Sequence, residues 1–117
     1  MGAGNVGHYV KVGRMVTATC RMVHDDTTGT VGIGQAEIAD LPYACNASIW
    51  GGAAVSYYEN FKTGYVSVFG RIYPGDSTIR LYANDNVNYT TANELLYDNM
   101  VDKGVTTILE LVATYMV

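Results

Sequence analysis

Charged side chains are scarce in this sequence. They make up 15% of its 117 residues, where an average soluble domain has roughly 25%, and 7 Lys and Arg stand against 11 Asp and Glu, which leaves a net charge of −4. Binding to nucleic acid depends on cations that neutralise phosphates, so this balance argues against a nucleic-acid partner. No apolar run approaches the length of about 18 residues that a membrane span needs, and we expect no membrane insertion.

Residues that carry out chemistry are also few. The two cysteines, Cys20 and Cys45, lack CxxC spacing, and together with His8 and His24 they offer no credible zinc site. No GxSxG or HExxH motif occurs, and the acidic pairs fit turns or solvated positions better than general acid–base catalysis. We therefore expect no catalytic residue, no metal site and no cofactor, and a function that is not enzymatic.

The N-terminus contains a match to GxGxxG, from Gly2 to Gly7. A dinucleotide site needs a strand before this motif and a helix after it, and the sequence offers neither. We interpret residues 1–8 as a flexible glycine-rich segment. The length fits one domain, so residues 1–117 are expected to form a single unit.

What the sequence has in abundance is alternation of apolar and polar residues with a period of two. Residues 16–22 place Val16, Ala18, Cys20 and Met22 on one side, which is typical of a half-buried strand. Similar runs recur about every ten residues, with turn residues between them, and predict about seven or eight short strands. We expect an all-β fold, a jelly-roll-like antiparallel β-sandwich, with at most one short helix near residues 93–101.

Particular positions in these strands carry sharper predictions. Tyr9–Val12, closed by Gly13, is predicted to form a hairpin with the strand that follows. The pair Gly51 and Gly52 interrupts the run from residue 47 to residue 58, which is either two short strands or one strand bent by a bulge at the glycines. In residues 78–83, Ile79 and Leu81 are predicted to face the core while Arg80 and Tyr82 face outward.

Aromatic residues are mostly tyrosines, with 10 Tyr against 2 Phe and 1 Trp. Tyrosine suits surfaces that are apolar at one end and wet at the other, such as protein interfaces and sugar-binding surfaces. Trp50, Tyr57 and Tyr58 lie close together in the sequence and are our candidates for contact with a ligand or partner. The alternative is that they line the core or a subunit contact.

The last predicted strand, residues 106–117, is apolar on both sides. Leu109, Leu111 and Val117 fall on one side, and the other side carries Ile108, Val112 and Met116. A sandwich strand needs only one buried face, so the second face predicts a subunit interface at Ile108, Val112 and Met116. A central strand covered by the protein's own loops is the alternative.

Several short motifs occur in the same order as in a known family. Residues 7–17 read GHYVKVGRMVT, residues 41–43 read LPY, residues 74–82 read PGDSTIRLY, and the chain ends in ATYMV. This order resembles a small β-module found at the C-terminal ends of tailed-bacteriophage tail fibres and in capsid decoration proteins. Cys20 departs from the pattern, in which glycine is expected. Tail-fibre proteins also carry the module behind a long shaft, so a free-standing protein and a fibre fragment both remain open.

The resemblance implies a β-sandwich, a homotrimer, no enzymatic activity and a place in the virion. The first functional hypothesis is a capsid decoration or cement protein that contacts the major capsid protein. The second is a tail-fibre tip, joined to a fibre shaft, that binds a host glycan or receptor. A carbohydrate-binding module is a further alternative.

Overall fold

A computed structural model describes residues 6–24, 34–61, 67–84, 93–95 and 106–117. These residues contain eight β-strands and no helix, and every strand pairing is antiparallel. The strands are β1 (Val6–Val12), β2 (Met15–His24), β3 (Glu37–Ile38), β4 (Gly51–Glu59), β5 (Ser67–Ile72), β6 (Ile79–Asn84), β7 (Asn93–Glu94) and β8 (Thr107–Met116). The all-β prediction is confirmed.

The strands form one sheet in the order β1-β2-β8-β4-β5-β6-β3, and β7 pairs with β6. The sheet curls, since Ala18 of β2 and Ile79 of β6, four strands apart in this order, line one cavity. Apolar side chains of both halves fill a common core inside the curl. The described topology is therefore a curled antiparallel sheet, and it does not establish the jelly-roll connectivity that we expected.

The inner face of the sheet matches the alternation in the sequence. Val16 and Ala18 are buried, whereas the alternate residues Thr17 and Thr19 are exposed. In β6, Ile79 and Leu81 are each 1% exposed. A one-residue slip in register would have turned these side chains to the solvent. Their burial therefore confirms the predicted inward-facing residues of β2 and β6.

The first two strands form the predicted hairpin. Val12 pairs with Met15, and Gly13 between them has a φ of 59°, a left-handed conformation that glycine adopts without steric cost. The strand begins at Val6, so the flexible segment that we predicted over residues 1–8 extends too far. Gly7 and His8 are held because β2 is long enough to pair with them. Residues 1–5 lie outside the described part.

The helix predicted over residues 93–101 is wrong at its start. Asn93 and Glu94 form strand β7 on β6, and the backbone N–H of Leu95 donates to the carbonyl of Leu81. Leu95 is fully buried, so tertiary pairing outweighs the local helical spacing here. Residues 96–101 lie outside the described residues.

Two further predictions need correction. Residues 51–59 form a single strand whose irregularity lies between Val55 and Tyr57, where the register against β8 shifts, and not at the glycines. Tyr82 points away from the core side, as its position in the alternation requires, but it is only 7% exposed. The Phe69 ring stacks on it at 5.8 Å, which covers a face that we expected to be open.

Candidate functional site

Part of the outer face of β1, β2 and β8 is a broad uncharged area. Strand pairing places Val12 beside Met15 and Met15 beside Met116 in one row across the three strands. Val10 and Val112 lie on the same face in the next two rows, among threonines. We call the five residues Val10, Val12, Met15, Val112 and Met116 the outer patch.

The outer patch is open to solvent in the isolated chain. Val12 is 74% exposed, Val10 65%, Met15 47% and Val112 37%. Single exposed apolar residues are normal on a protein surface. Groups of neighbouring exposed apolar side chains are less common and often mark sites of interaction. No described loop covers this part of the sheet, and the arrangement can bury apolar area against a partner.

The three predicted interface residues all lie on this outer face of β8. Val112 and Met116 belong to the outer patch, whereas Ile108 is separated from them by Glu110. Arg21 on β2 pairs with Glu110 at 3.1 Å, and both side chains are roughly two-fifths exposed (44% and 40%). This ion pair lies between Ile108 and the outer patch, so Ile108 is not part of the patch. Whether these residues meet another subunit remains a prediction.

A second feature of the outer face is a cluster of aromatic rings and an arginine on β5 and the segments beside it. The Arg71 guanidinium carbon lies 4.0 Å from the centroid of the Trp50 ring, 5.7 Å from that of Tyr82 and 5.9 Å from that of Tyr73. Trp50 also makes an edge contact with Tyr73 at 4.6 Å between centroids. We call Trp50, Arg71, Tyr73 and Tyr82 the ring cluster.

Hydrogen bonding fixes the inner part of this cluster. The hydroxyls of Tyr73 and Tyr82 are 2.7 Å apart. Burial raises the pKa of Tyr82, and its hydrogen bond with Tyr73 adds to the rise. The Tyr82 phenol is therefore neutral at physiological pH. Trp50, by contrast, is 50% exposed and forms the outer wall of the cluster.

The two arginines of this region differ in their charge partners. Arg80 lies over the Tyr73 ring at 4.1 Å, donates to Asp76 at 3.1 Å and has Glu37 at 3.9 Å. Among the residues that the structure describes, no carboxylate or hydrogen-bond acceptor contacts the Arg71 guanidinium. The positive charge of Arg80 is thus compensated, whereas aromatic rings are the neighbours that surround Arg71 in the described part of the chain.

The two glycines at the start of β4 occupy different surroundings. A Cβ atom on Gly51 would lie 2.6 Å from the Cβ of Tyr115, so packing requires glycine there. A Cβ atom on Gly52 would meet nothing within 4 Å. Gly52 pairs with Arg71 on one side and with Thr114 on the other, so all three share the outer face. The result is an open floor between Arg71 and an exposed threonine.

The predicted ligand residues are not brought together. Trp50 precedes β4, whereas Tyr57 and Tyr58 lie near its far end, roughly 23–26 Å away at about 3.3 Å per residue. The Tyr57 hydroxyl donates to Glu59 at 2.8 Å, and the Tyr58 ring contacts Phe61 at 4.8 Å. Trp50 therefore belongs to the ring cluster, and the tyrosines form a separate exposed group. Ligand contact by each remains a prediction.

A cavity of about 320 Å³ lies where the two ends of the curled sheet approach each other. Ala18 and Cys20 of β2 line one side, and Ile38, Leu41 and Ile79 line the other. Burial raises the pKa of Cys20, so its thiol is protonated and weakly nucleophilic. The lining is mostly apolar, and it also includes His8, Arg21 and Asp40.

The other cysteine, Cys45, belongs to the hydrophobic core. Cys45 is 3% exposed, its thiol donates to the carbonyl of Ile49 at 3.1 Å, and burial raises its pKa. Both cysteines are free. Within the described ranges, no three His, Cys, Asp or Glu side chains come together in a group that could hold a metal ion.

Sequence reasoning missed Arg71 as a member of this surface. Its position between Phe69 and Tyr73 on the outward side of a strand was the available signal. The partners were not visible, because the contact with Trp50 depends on the pairing of β4 with β5.

Comparison with known proteins finds no matching family model, no matching curated protein and no matching solved structure. Over the described residues there is also no helix long and apolar enough to span a membrane.

Proposed function

We propose that this protein is a non-enzymatic structural component of a bacteriophage particle, a capsid decoration protein that stabilises the particle surface through oligomeric contacts. The observation that carries the proposal is the outer patch. Four of its five side chains are exposed and Met116 is partly buried. They lie on three adjacent strands, next to threonines and without a charged side chain among them. The virion assignment comes from the ordered motifs that resemble the phage module.

The proposed assembly is a homotrimer that contacts the major capsid protein. A stable protein contact buries about 1,200–2,000 Å² in total, and the centre of such a contact is poor in charge. The outer patch has that composition, and the Arg21–Glu110 ion pair lies at its border, where charged residues are usual. The number of subunits follows from the resemblance alone.

Labelled particles test this proposal directly. A gold-coupled antibody against the chain is applied to virions purified from the source culture and imaged by electron microscopy. Label distributed over the head is the expected result. Label confined to the tail tip would move the protein to the second candidate function, and particles without label would contradict a virion role.

The second candidate function is a tail-fibre tip or carbohydrate-binding module that binds a host glycan. The specific observation in its favour is the half-exposed Trp50 ring beside Arg71, whose guanidinium has no carboxylate partner among the described residues. Aromatic rings stack against the apolar faces of sugars, and a guanidinium donates several hydrogen bonds at once. Binding of a host polysaccharide that is lost on Trp50→Ala is the result expected for this function.

A further inference from the structure

The surface around Arg71 combines a charge, a ring and an open floor in one place. The guanidinium lies 4.0 Å from the Trp50 ring, and a Cβ atom placed on the neighbouring Gly52 would meet no other atom within 4 Å. From this combination we infer that the Trp50–Gly52–Arg71 surface is a binding site for a carboxylated sugar, such as a uronic acid unit of an acidic polysaccharide. The inference rests on the second candidate function and narrows it to one class of ligand.

The guanidinium is the first element of the argument. A cation stacked on aromatic rings keeps its orientation while its N–H groups remain able to donate. In the described part of the chain no acceptor uses those groups on Arg71, whereas Arg80 one strand away is compensated by Asp76 and Glu37. A carboxylate is the partner whose two oxygens match the donor geometry of arginine.

The floor is the second and independent element. Glycine weakens the interior of a strand and commonly marks a place where a ligand or another backbone approaches closely. Packing against Tyr115 explains why residue 51 is glycine. At Gly52 neither packing nor a positive φ requires glycine, because a side chain there would enter open space. The space therefore admits a ligand between Arg71 and Thr114, the two cross-strand neighbours of Gly52.

The neighbours of the floor favour a sugar over other anions. Trp50, which is 50% exposed, supplies an aromatic ring. Thr114, an exposed residue that pairs with Gly52, supplies a hydroxyl. These groups match the apolar face and the hydroxyls of a pyranose, while Arg71 matches its carboxylate. A nucleic acid would need many phosphate contacts, which a chain of net charge −4 opposes.

Isothermal titration with defined oligosaccharides tests the inference. The probes are trigalacturonate, its methyl ester, which keeps the rings but lacks the charge, and a neutral galactose trisaccharide. We expect the wild-type chain to bind trigalacturonate at least about tenfold more tightly than the ester, a difference of about 1.4 kcal/mol. We also expect this preference to shrink as the salt concentration rises.

Three variants assign the binding to this surface. Arg71→Gln should remove the preference for the acid over the ester. Gly52→Val should weaken the binding of both ligands by filling the floor, where an added Cβ atom meets no neighbour within 4 Å. Arg21→Gln is the matched control, since it removes an arginine from the same outer face that already has Glu110 as partner. Circular dichroism and the unfolding midpoint of each variant show that it is folded.

Each outcome decides between the inference and the function on which it rests. Equal binding of the acid and the ester, or unchanged binding by Gly52→Val, would overturn the acidic-sugar site but leave glycan binding intact. Binding of none of the three probes would overturn the inference, and a host glycan bound with dependence on Trp50 would still support the second candidate function. Loss of binding in Arg21→Gln alone would place the site elsewhere and overturn the inference.

Discussion

Gly51 and Tyr115 approach each other so closely that a Cβ atom on Gly51 would lie 2.6 Å from the Cβ of Tyr115. This contact joins the start of β4 to the end of β8, and Tyr115 is only 2% exposed. It also accounts for one of the two glycines that interrupt the strand pattern. The neighbouring Gly52 has no such contact, so the pair offers a matched comparison between a packed and an open position.

We predict that Gly51→Ala destabilises the protein and that Gly52→Ala does not. The added methyl group at Gly51 must displace Tyr115 or Ile72, and overpacking of this kind costs about 1–3 kcal/mol. At Gly52 the methyl group meets open space, and the change should stay within about 1 kcal/mol of the wild type. Urea unfolding measures both, and equal stabilities of the two variants would contradict the close approach.

Ile79 is predicted to be a major contributor to the core. It is 1% exposed and lies in the cluster that joins the two ends of the curled sheet. Ile79→Ala should lower the free energy of unfolding by about 2–5 kcal/mol, because it removes buried methyl groups and leaves a cavity. Thr17→Ala, on the exposed face of β2, serves as control and should change it by less than about 0.5 kcal/mol. A similarly small effect at Ile79 would mean that the register of β6 is wrong.

Alkaline pH is predicted to weaken the fold, partly through Tyr115. Burial raises its pKa, the Tyr43 backbone offsets part of the rise, and the neighbouring Cys45 adds to it. In the unfolded chain a tyrosine ionises near pH 10, so the stabilisation is complete below about that pH. It is lost as the pH rises through the folded pKa, because the unfolded state releases a proton that the folded state retains.

The pH dependence of unfolding in Tyr115→Phe measures this contribution. The variant should lose stability less steeply than the wild type between about pH 9 and about pH 11. The pKa values of Cys45 and Tyr82 are also raised, so the stability of both proteins should still fall to some extent with rising pH. Identical slopes for the wild type and the variant would show that the Tyr115 phenol titrates normally in the folded state.

The fold could be predicted from sequence wherever one strand face is buried. The alternation in β2 and β6 gave the correct inward residues because burial on one side imposes a period of two. The prediction failed at Asn93, where spacing suggested a helix but the backbone of β6 provided strand partners. It also failed to anticipate that Tyr82 would be covered, since the stacking Phe69 lies on a different strand.

The candidate site was harder to predict, because closeness in sequence differs from closeness in space. Trp50 and Tyr57 are near neighbours in the sequence, but an extended strand carries them far apart. Trp50 and Arg71 are distant in the sequence and meet because β4 pairs with β5. Such pairings depend on long-range register, which local patterns do not specify.

The mass of the protein in solution tests the central claim, that the outer patch is an assembly surface. Native mass spectrometry at micromolar concentration should give three times the 12.7 kDa of the chain. Val10→Asp and Val112→Asp should reduce this to the mass of one chain while the fold is retained, because each places a charge in the patch. Ser67→Asp, which puts the same charge on an exposed position of β5, should leave the assembly intact. A wild-type chain that is monomeric under these conditions, or a trimer unaffected by both patch variants, would show that the outer patch is not an assembly surface.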